Sequence, residues 1–215
     1  ALVLTNGNIT LGVNSLTING SVNGALNSHI VTNGAGSVTT RNVNVTPVTV
    51  PVGPSATSFN PVIISSGSGR DYSVKVQEGL IPAINNPGLA VNRTWTITHS
   101  GATPTNVNIT FQYDDTHMNT PGVPTNKMEV GVYNGGWSVV SPAGGMTPSG
   151  PSTARRVSTL TSQFGPMVVT NIGGVSWITS APNVDPSVTS IQLLPNLVES
   201  NSILRVLSTR ATRLG

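Results

Sequence analysis

Short stretches of alternating apolar and polar residues, separated by turn-forming dipeptides, are the feature that most constrains how this chain folds. In Trp95–Thr98 and again in Val107–Tyr113, apolar and polar side chains alternate one by one. This period of two is typical of antiparallel strands with one solvated face. The pattern predicts eight strands, at Val62–Ser65, Tyr72–Val76, Thr94–His99, Asn106–Tyr113, Met128–Tyr133, Trp137–Ser141, Arg155–Leu160 and Met167–Asn171.

Low charge supports an all-β fold. Only 8% of the 215 residues are charged, whereas globular proteins average about 25%. Helical bundles, coiled coils and doubly wound α/β enzymes need periodic runs of Ala, Leu, Glu, Lys and Arg, which this chain lacks. We therefore predict an antiparallel β-sandwich over residues 46–180, entered through a proline-rich edge segment or crossover at 46–62.

The first 45 residues form a quasi-repeat of short strands between Asn-Gly pairs, which favour tight turns. These pairs begin at Asn6, Asn19, Asn23 and Asn33, with main spacings of 13 and 14 residues. Such spacing suits either hairpins or the rungs of a small β-roll, and the Asn-rich corners favour a short roll or a β-helix-like segment. Three units are too few to be stable alone, so we expect residues 1–45 to pack on the sandwich.

Charge placement and the lack of cysteine exclude several functions. The net charge of +3 arises in residues 151–215, because the charges of residues 1–150 balance. Nucleic-acid binding needs a clustered basic face and is therefore not expected. With no cysteine, disulfides, thiolate zinc sites and cysteine nucleophiles are excluded. No stretch approaches the 18–20 apolar residues of a membrane span.

Several segments, taken together, resemble secreted surface proteins of Bacteroidota that are exported by the type IX secretion system. The resemblance lies in Asn8–Val38, in Val50–Gly53 followed by Phe59–Ile63, in Val91–Ile97 (VNRTWTI) and in Phe164–Val169. It implies export across the outer membrane and an extracellular or cell-surface location. It implies no catalytic activity, because such modules serve as stalks, repeats or spacers. Apart from the calcium candidate considered below, we expect no cofactor.

The C-terminal residues 181–215 are predicted as a linker followed by a strand-forming tail. This tail resembles the start of the C-terminal sorting domain of those proteins, although Leu194 and Leu197 replace the Tyr and the second Pro of its usual "Y-P-N-P" turn. The resemblance implies that the tail contacts the secretion machinery. The residues assigned to this export or assembly role are Ile191, Leu193, Leu194, Pro195, Asn196, Ile203, Leu204, Val206 and Leu207.

The sequence offers two candidate binding sites, one for Ca²⁺ and one for a sugar, and each also has a purely structural interpretation. Asp114 and Asp115 offer hard oxygens to Ca²⁺, but we favour the interpretation that they belong to a solvated loop after a strand. Trp137 and Tyr133 flank the hairpin tip Asn134–Gly136 and could stack on a sugar, whereas Trp95 is expected in the core. Neighbouring carboxylates on a strand point to opposite faces, so a hydrolase pair is not expected.

These observations predict a non-catalytic structural or adhesive module of a secreted surface protein. Two alternatives remain open. The chain could be a filament or sheath subunit, because an alternating strand without a home sheet can complete a neighbour's sheet. It could instead be a glycan-binding accessory module using Trp137. The partners to consider are thus the secretion machinery, further copies of the chain and surface glycans.

Overall fold

Short runs of Val, Ile and Thr form sixteen β-strands within residues 1–175, the part of the chain that the computed structural model describes. The only helices among these residues are three single turns of 3₁₀-helix, at Pro87–Leu89, Asp115–His117 and Ser152–Ala154. The chain is therefore all-β, as predicted. The strands are β1 (Leu2–Val3), β2 (Ile9–Thr10), β3 (Leu16–Ile18), β4 (Val22–Asn23), β5 (Ile30–Val31), β6 (Val38–Val43), β7 (Val48–Val50), β8 (Val52–Gly53), β9 (Val62–Ser65), β10 (Arg70–Glu78), β11 (Arg93–His99), β12 (Val107–Tyr113), β13 (Met128–Tyr133), β14 (Trp137–Val139), β15 (Arg155–Thr161) and β16 (Gly165–Asn171).

Two sheets enclose the main core in a sandwich-like arrangement. A seven-stranded sheet has the order β14-β13-β16-β11-β10-β6-β3, and a four-stranded sheet has the order β15-β12-β9-β7. Their ladders are antiparallel except between β3 and β6. Trp95 from the first sheet meets Phe111 from the second edge to face, with ring centroids 5.2 Å apart. Trp95 is fully buried, which confirms its predicted place in the core.

The eight predicted strands all occur in the structure. β9 and β13 coincide with their predicted ranges, and the ends of the other six differ by no more than two residues. The burial of β10 alternates strictly over Tyr72–Gln77, as its sequence does. Burial alternates in β9, β10 and β15, where one face is buried and the other is more exposed, whereas β13 and β16 are buried on both faces over most of their length.

Residues 1–53 contain parallel ladders, which differ from the antiparallel pairing of the sandwich. We call β1, β2 and β3 the first coil (residues 2–18). Each of these strands belongs to a different ladder, and each pairs in parallel with the strand that lies three places further along the chain. The second coil (residues 22–43) follows with β4, β5 and β6. The paired residues are Leu2 with Val22, Ile9 with Ile30, Ile30 with Val52, and Leu16 with Val38.

The step between paired residues is therefore 20 to 22 residues, not the 13 or 14 residues that separate the Asn-Gly pairs. The Asn-Gly pairs do not all act alike. Gly7 and Gly20 have positive φ angles, as tight turns require, whereas Gly24 and Gly34 do not. Spacing of Asn-Gly pairs was thus a wrong guide to the repeat length.

The proline-rich segment forms an edge of the sandwich. Pro47 and Pro51 flank β7, which is the last strand of the four-stranded sheet. Proline lacks the N–H group that a central strand needs, so an edge position fits its chemistry. The prediction of an edge segment is confirmed here.

The first 45 residues share one core with the sandwich. β6 lies inside the seven-stranded sheet, beside β10, and the buried side chains of both parts form one continuous cluster. All of the described residues, 1–175, belong to one compact unit. Among the described residues, no helix has the length and apolar character needed to cross a membrane.

Candidate functional site

The two acidic candidates lie where β12 ends, and each carboxylate already has a protein partner. Asp114 caps the 3₁₀-turn Asp115–His117, accepting hydrogen bonds from the backbone N–H of Thr116 at 2.8 Å and from its hydroxyl at 2.7 Å. Burial acts to raise the pKa of Asp114, but these hydrogen bonds outweigh it and hold the pKa below its ordinary value. Asp114 therefore has a structural role as an ionised cap.

Asp115 forms an ion pair instead of facing its neighbour. Arg155 Nε lies 3.2 Å from Asp115 Oδ2, and both side chains are about 30% exposed or less. In residues 1–175, no group of three or more His, Asp or Glu side chains is arranged to hold a metal ion. The geometry around Asp114 and Asp115 thus resembles the structural interpretation of this loop more than a calcium site.

Trp137 and Tyr133 do come together, as neighbours across the β13–β14 ladder. Their rings meet edge to face, with an interplanar angle of 64° and centroids 5.4 Å apart. The indole N–H of Trp137 donates to the carbonyl of Ala83 at 2.8 Å, and the ring packs on the small apolar cluster around Ile84. Both side chains are half-buried and their ring planes are inclined to each other, so the two rings do not form one continuous flat surface. The nine residues of the predicted export and assembly tail lie outside the described residues.

Sequence reasoning missed a buried polar network that joins three parts of the sandwich. At its centre, Asn60 Oδ1 accepts hydrogen bonds from Arg93 Nε at 3.1 Å and from the Ser58 hydroxyl at 2.9 Å. The Asn60 carbonyl accepts a further bond from Trp95 Nε1 at 3.2 Å. Asn60 is fully buried and Arg93 is 5% exposed. We call Ser58, Asn60, Arg93 and His117 the polar network.

The polar network contains a serine and a histidine close enough to suggest a nucleophile and its base. Ser58 Oγ lies 3.4 Å from His117 Nε2. Nδ1 of His117 accepts from Asn60 Nδ2 at 3.2 Å, because that amide nitrogen can only donate. The ring proton therefore sits on Nε2, pointing at the serine. In that tautomer His117 cannot remove the serine proton.

The hydroxyl of Ser58 is also fully engaged in hydrogen bonds. Its hydroxyl proton is donated to Asn60 Oδ1, and its oxygen accepts from Arg93 Nη2 at 2.9 Å. A hydroxyl whose proton and lone pairs are all occupied by buried partners is a structural group. The polar network therefore acts as a scaffold and not as a catalytic pair.

Electrostatics in the polar network follow from burial. Burial lowers the pKa of Arg93, and the carboxylate of Glu78 partly counters this effect. Burial, followed by the positive charge of Arg93, lowers the pKa of His117 to about 4, although Asp114 and Glu78 act in the opposite direction. His117 is therefore neutral at pH 7.

Part of this network lies in two of the segments that carry the resemblance. Asn60 belongs to Phe59–Ile63, and Arg93 and Trp95 belong to Val91–Ile97. Nothing in their spacing shows that the two segments touch, because 33 residues separate Asn60 from Arg93. Only the folded chain shows that they form one contact.

The comparisons with known proteins supply no relative. No family model, no curated protein and no solved structure matches this chain. The function must therefore be argued from the residues and their geometry.

Proposed function

We propose that the chain is a non-catalytic structural or adhesive module of a secreted bacterial surface protein, exported by the type IX secretion system. The observation that carries the proposal is the contact between Phe59–Ile63 and Val91–Ile97, two of the segments that resemble such proteins. Their polar residues meet in the buried polar network, where Arg93 donates to both Asn60 and Ser58. Motif residues that serve the scaffold are what a spacer or stalk module requires.

The polar groups of the described residues are engaged in ways that agree with this role. The polar network lies inside the sandwich, and the hydroxyl of Ser58 donates its proton to Asn60 Oδ1. The acidic residues of the β12 loop are used for a cap and an ion pair. Each group thus adds to the cohesion of the fold, which favours a load-carrying or spacing role over turnover of a substrate.

The proposal is tested by following export in a bacterium that carries the type IX system. The full chain, preceded by a signal peptide, is compared with a variant that has Leu193→Asp, Leu204→Asp and Val206→Asp in the predicted tail. We expect the parent chain at the cell surface, where added protease digests it, and the variant in the periplasm. A strain lacking the type IX translocon is the control. Equal placement of both chains would refute the export role.

A filament or sheath subunit is the second candidate, and the free edge of β15 favours it. The backbone groups of Arg156 bond to Ser149 on the side away from β12. Because backbone groups alternate along a strand, Ser158 and Leu160 present theirs on that same side. No described strand pairs there, and Leu160 is 63% exposed. A tail strand from a second copy could add to this edge.

Negative-stain imaging of the full chain and of a chain ending at Ser180 tests this second candidate. Tail exchange predicts filaments from the full chain only, and their loss in Ser158→Pro, which removes one N–H from the free edge of β15. Dispersed particles from both chains would refute it and leave the module proposal standing.

A further inference from the structure

His29 is a buried histidine that has no part in the polar network or in the two candidate sites. It lies between a turn at residues 25–28 and β5, and none of its surface is exposed. Its backbone is held by the first coil, because its N–H donates to Asn8 Oδ1 at 2.8 Å and its carbonyl accepts from the N–H of Ile9 at 3.0 Å. The ring therefore has a defined position inside the fold.

Both ring nitrogens of His29 face backbone carbonyl oxygens. Nδ1 lies 3.0 Å from the oxygen of Leu26 and 3.3 Å from the oxygen of Ala25, within its own turn. Nε2 lies 2.9 Å from the oxygen of Ser55, which begins a second turn at residues 55–58. A carbonyl oxygen can only accept a hydrogen bond, so each ring nitrogen has to donate one.

A neutral imidazole cannot donate from both nitrogens. It carries one N–H group, and its other nitrogen presents a lone pair. Either tautomer of His29 would therefore place a lone pair against the lone pairs of a carbonyl oxygen at 3.0 Å or less. The imidazolium form carries two N–H groups and satisfies both contacts. Because unpaired buried polar groups are costly, the folded chain favours the doubly protonated ring.

His117 provides an internal comparison, since its partners are of the opposite kind. Its Nδ1 accepts from the amide nitrogen of Asn60 at 3.2 Å, so the lone pair of the neutral ring has a donor. The neutral form of His117 is thus satisfied, whereas the neutral form of His29 is not. The difference arises because an amide nitrogen faces one ring and carbonyl oxygens face both nitrogens of the other.

The segments that enclose His29 contain no carboxylate. Phe59 packs on its ring with centroids 5.4 Å apart, and Gly53 lies so close that an added Cβ would come within 2.7 Å of Nε2. Residues 1–69 contain one charged side chain, Arg41. The negative ends of the carbonyl dipoles therefore have to stabilise the charge of an imidazolium at this position.

The turn at residues 55–58 also faces charged and titratable groups on its other side. Arg93 Nη2 donates to Ser58 Oγ at 2.9 Å, and His117 Nε2 lies 3.4 Å from the same oxygen. His117 is neutral at pH 7 and adds no charge there. Repulsion from Arg93 opposes protonation of His29, but the carboxylate of Glu78, 3.5 Å from Arg93, offsets part of it.

We propose that His29 is an imidazolium in the folded chain and acts as a proton-dependent clasp between the turns at residues 25–28 and 55–58. While both nitrogens donate, the ring ties the second coil to the segment that follows β8. Loss of one proton breaks one of these two ties. The clasp is therefore closed at low pH and opens as the pH rises, which is opposite in sign to the effect of His117. It goes beyond the proposed export role and does not depend on it.

Long-range proton–nitrogen NMR correlation spectra of the full chain test the charge of His29 directly. The chain has three histidines, so a His99→Gln/His117→Gln variant leaves the ring of His29 alone to observe. At about pH 7.5, one unit above the pKa of roughly 6.5 that an unperturbed histidine has, we expect both ring nitrogens to carry protons. The spectrum of a neutral ring, with one bare nitrogen, in the folded chain would overturn the proposal.

The pH dependence of folding tests the clasp itself. Because the folded chain binds one proton more than the unfolded chain, the folding equilibrium constant should fall by up to about tenfold per pH unit as the pH rises. Urea unfolding of the His99→Gln/His117→Gln variant between about pH 6.5 and 8.5 measures this fall. Adding His29→Gln to that variant gives the matched control, which should lack it.

Two outcomes of the unfolding experiment would overturn the clasp. One is a folding constant that stays level or rises with pH in the variant that retains His29. The other is an equal fall in the His29→Gln control, since another group would then release the proton. The NMR spectrum needs only the chain that retains His29, so it decides the question even where the control does not fold.

Discussion

Replacing Arg93 by methionine is the sharpest test of the polar network. The guanidinium donates to Asn60 at 3.1 Å, to Ser58 at 2.9 Å and to the Asn92 carbonyl at 2.6 Å. Methionine keeps most of the apolar stem but none of these bonds, and leaves buried acceptors unpaired. Removing one partner of a buried charged network typically costs 3–5 kcal/mol. Because the desolvation of the guanidinium is also relieved, we expect a loss of about 3 to 4 kcal/mol.

The ion pair with Glu78 contributes little to that figure. Arg93 Nη1 and Glu78 Oε1 are 3.5 Å apart, and the Glu78 side chain is 60% exposed. Exposed pairs are worth about 0–1 kcal/mol, so Glu78→Gln should cost less than about 1 kcal/mol. Arg93→Lys keeps the charge but cannot reach Asn60 and Ser58 together, so its loss should be closer to that of methionine.

Equilibrium unfolding in urea, followed by tryptophan fluorescence, measures these differences. With a slope of about 2 to 3 kcal/mol per molar, Arg93→Met should lower the unfolding midpoint by about 1 to 2 M. The reasoning is refuted if Arg93→Met costs less than about 1 kcal/mol, or if Glu78→Gln costs as much, since the exposed ion pair would then dominate.

Three further predictions concern other parts of the fold. Folding lowers the pKa of His117 from 6.5 to about 4, so the unfolded chain takes up this proton first as the pH falls. The free energy of unfolding should therefore decrease between pH 6.5 and pH 4, by no more than about 3 kcal/mol. Urea unfolding across that range checks this, and a His117→Gln variant should lack the decrease. Gly53→Ala should lower the free energy of unfolding by roughly 1–3 kcal/mol, because its Cβ would meet a backbone carbonyl and the His29 ring, whereas Gly136→Ala, which meets nothing within 4 Å, should change it little; equal melting temperatures would contradict this. Millimolar Ca²⁺ should leave the melting temperature unchanged, because Asp114 and Asp115 already have protein partners, and a rise reversed by EDTA would disprove that assignment.

Much of the sandwich could be predicted because its information is local. β9 coincides with its predicted range and its burial alternates as expected, whereas β13 also coincides but is buried at five consecutive residues, Glu129 among them. The coil segment was harder. Its strands are two or three residues long in the first coil, too short for a period to be measured. The Asn-Gly pairs therefore had to serve as markers, and only some of them occupy tight turns.

The candidate sites divided in the same way. Asp114 and Asp115 are neighbours in sequence, but their partners decide what they do, and Arg155 is 40 residues from Asp115. Trp137 and Tyr133 were correctly placed at one hairpin, whereas the bond from Trp137 to Ala83 spans 54 residues. Local pattern thus located side chains without showing whether they were free to bind.

Sequence alone determined the all-β class, the strands of the sandwich and the neutrality of residues 1–40, because these depend on residue type and on neighbours in the chain. Tertiary structure decided the step of 20 to 22 residues between ladders and the polar network. The polar network joins residues 33 to 59 positions apart, and no local preference encodes which of them will meet. Their partners are chosen only when the sheets close and buried polar groups must find each other away from water.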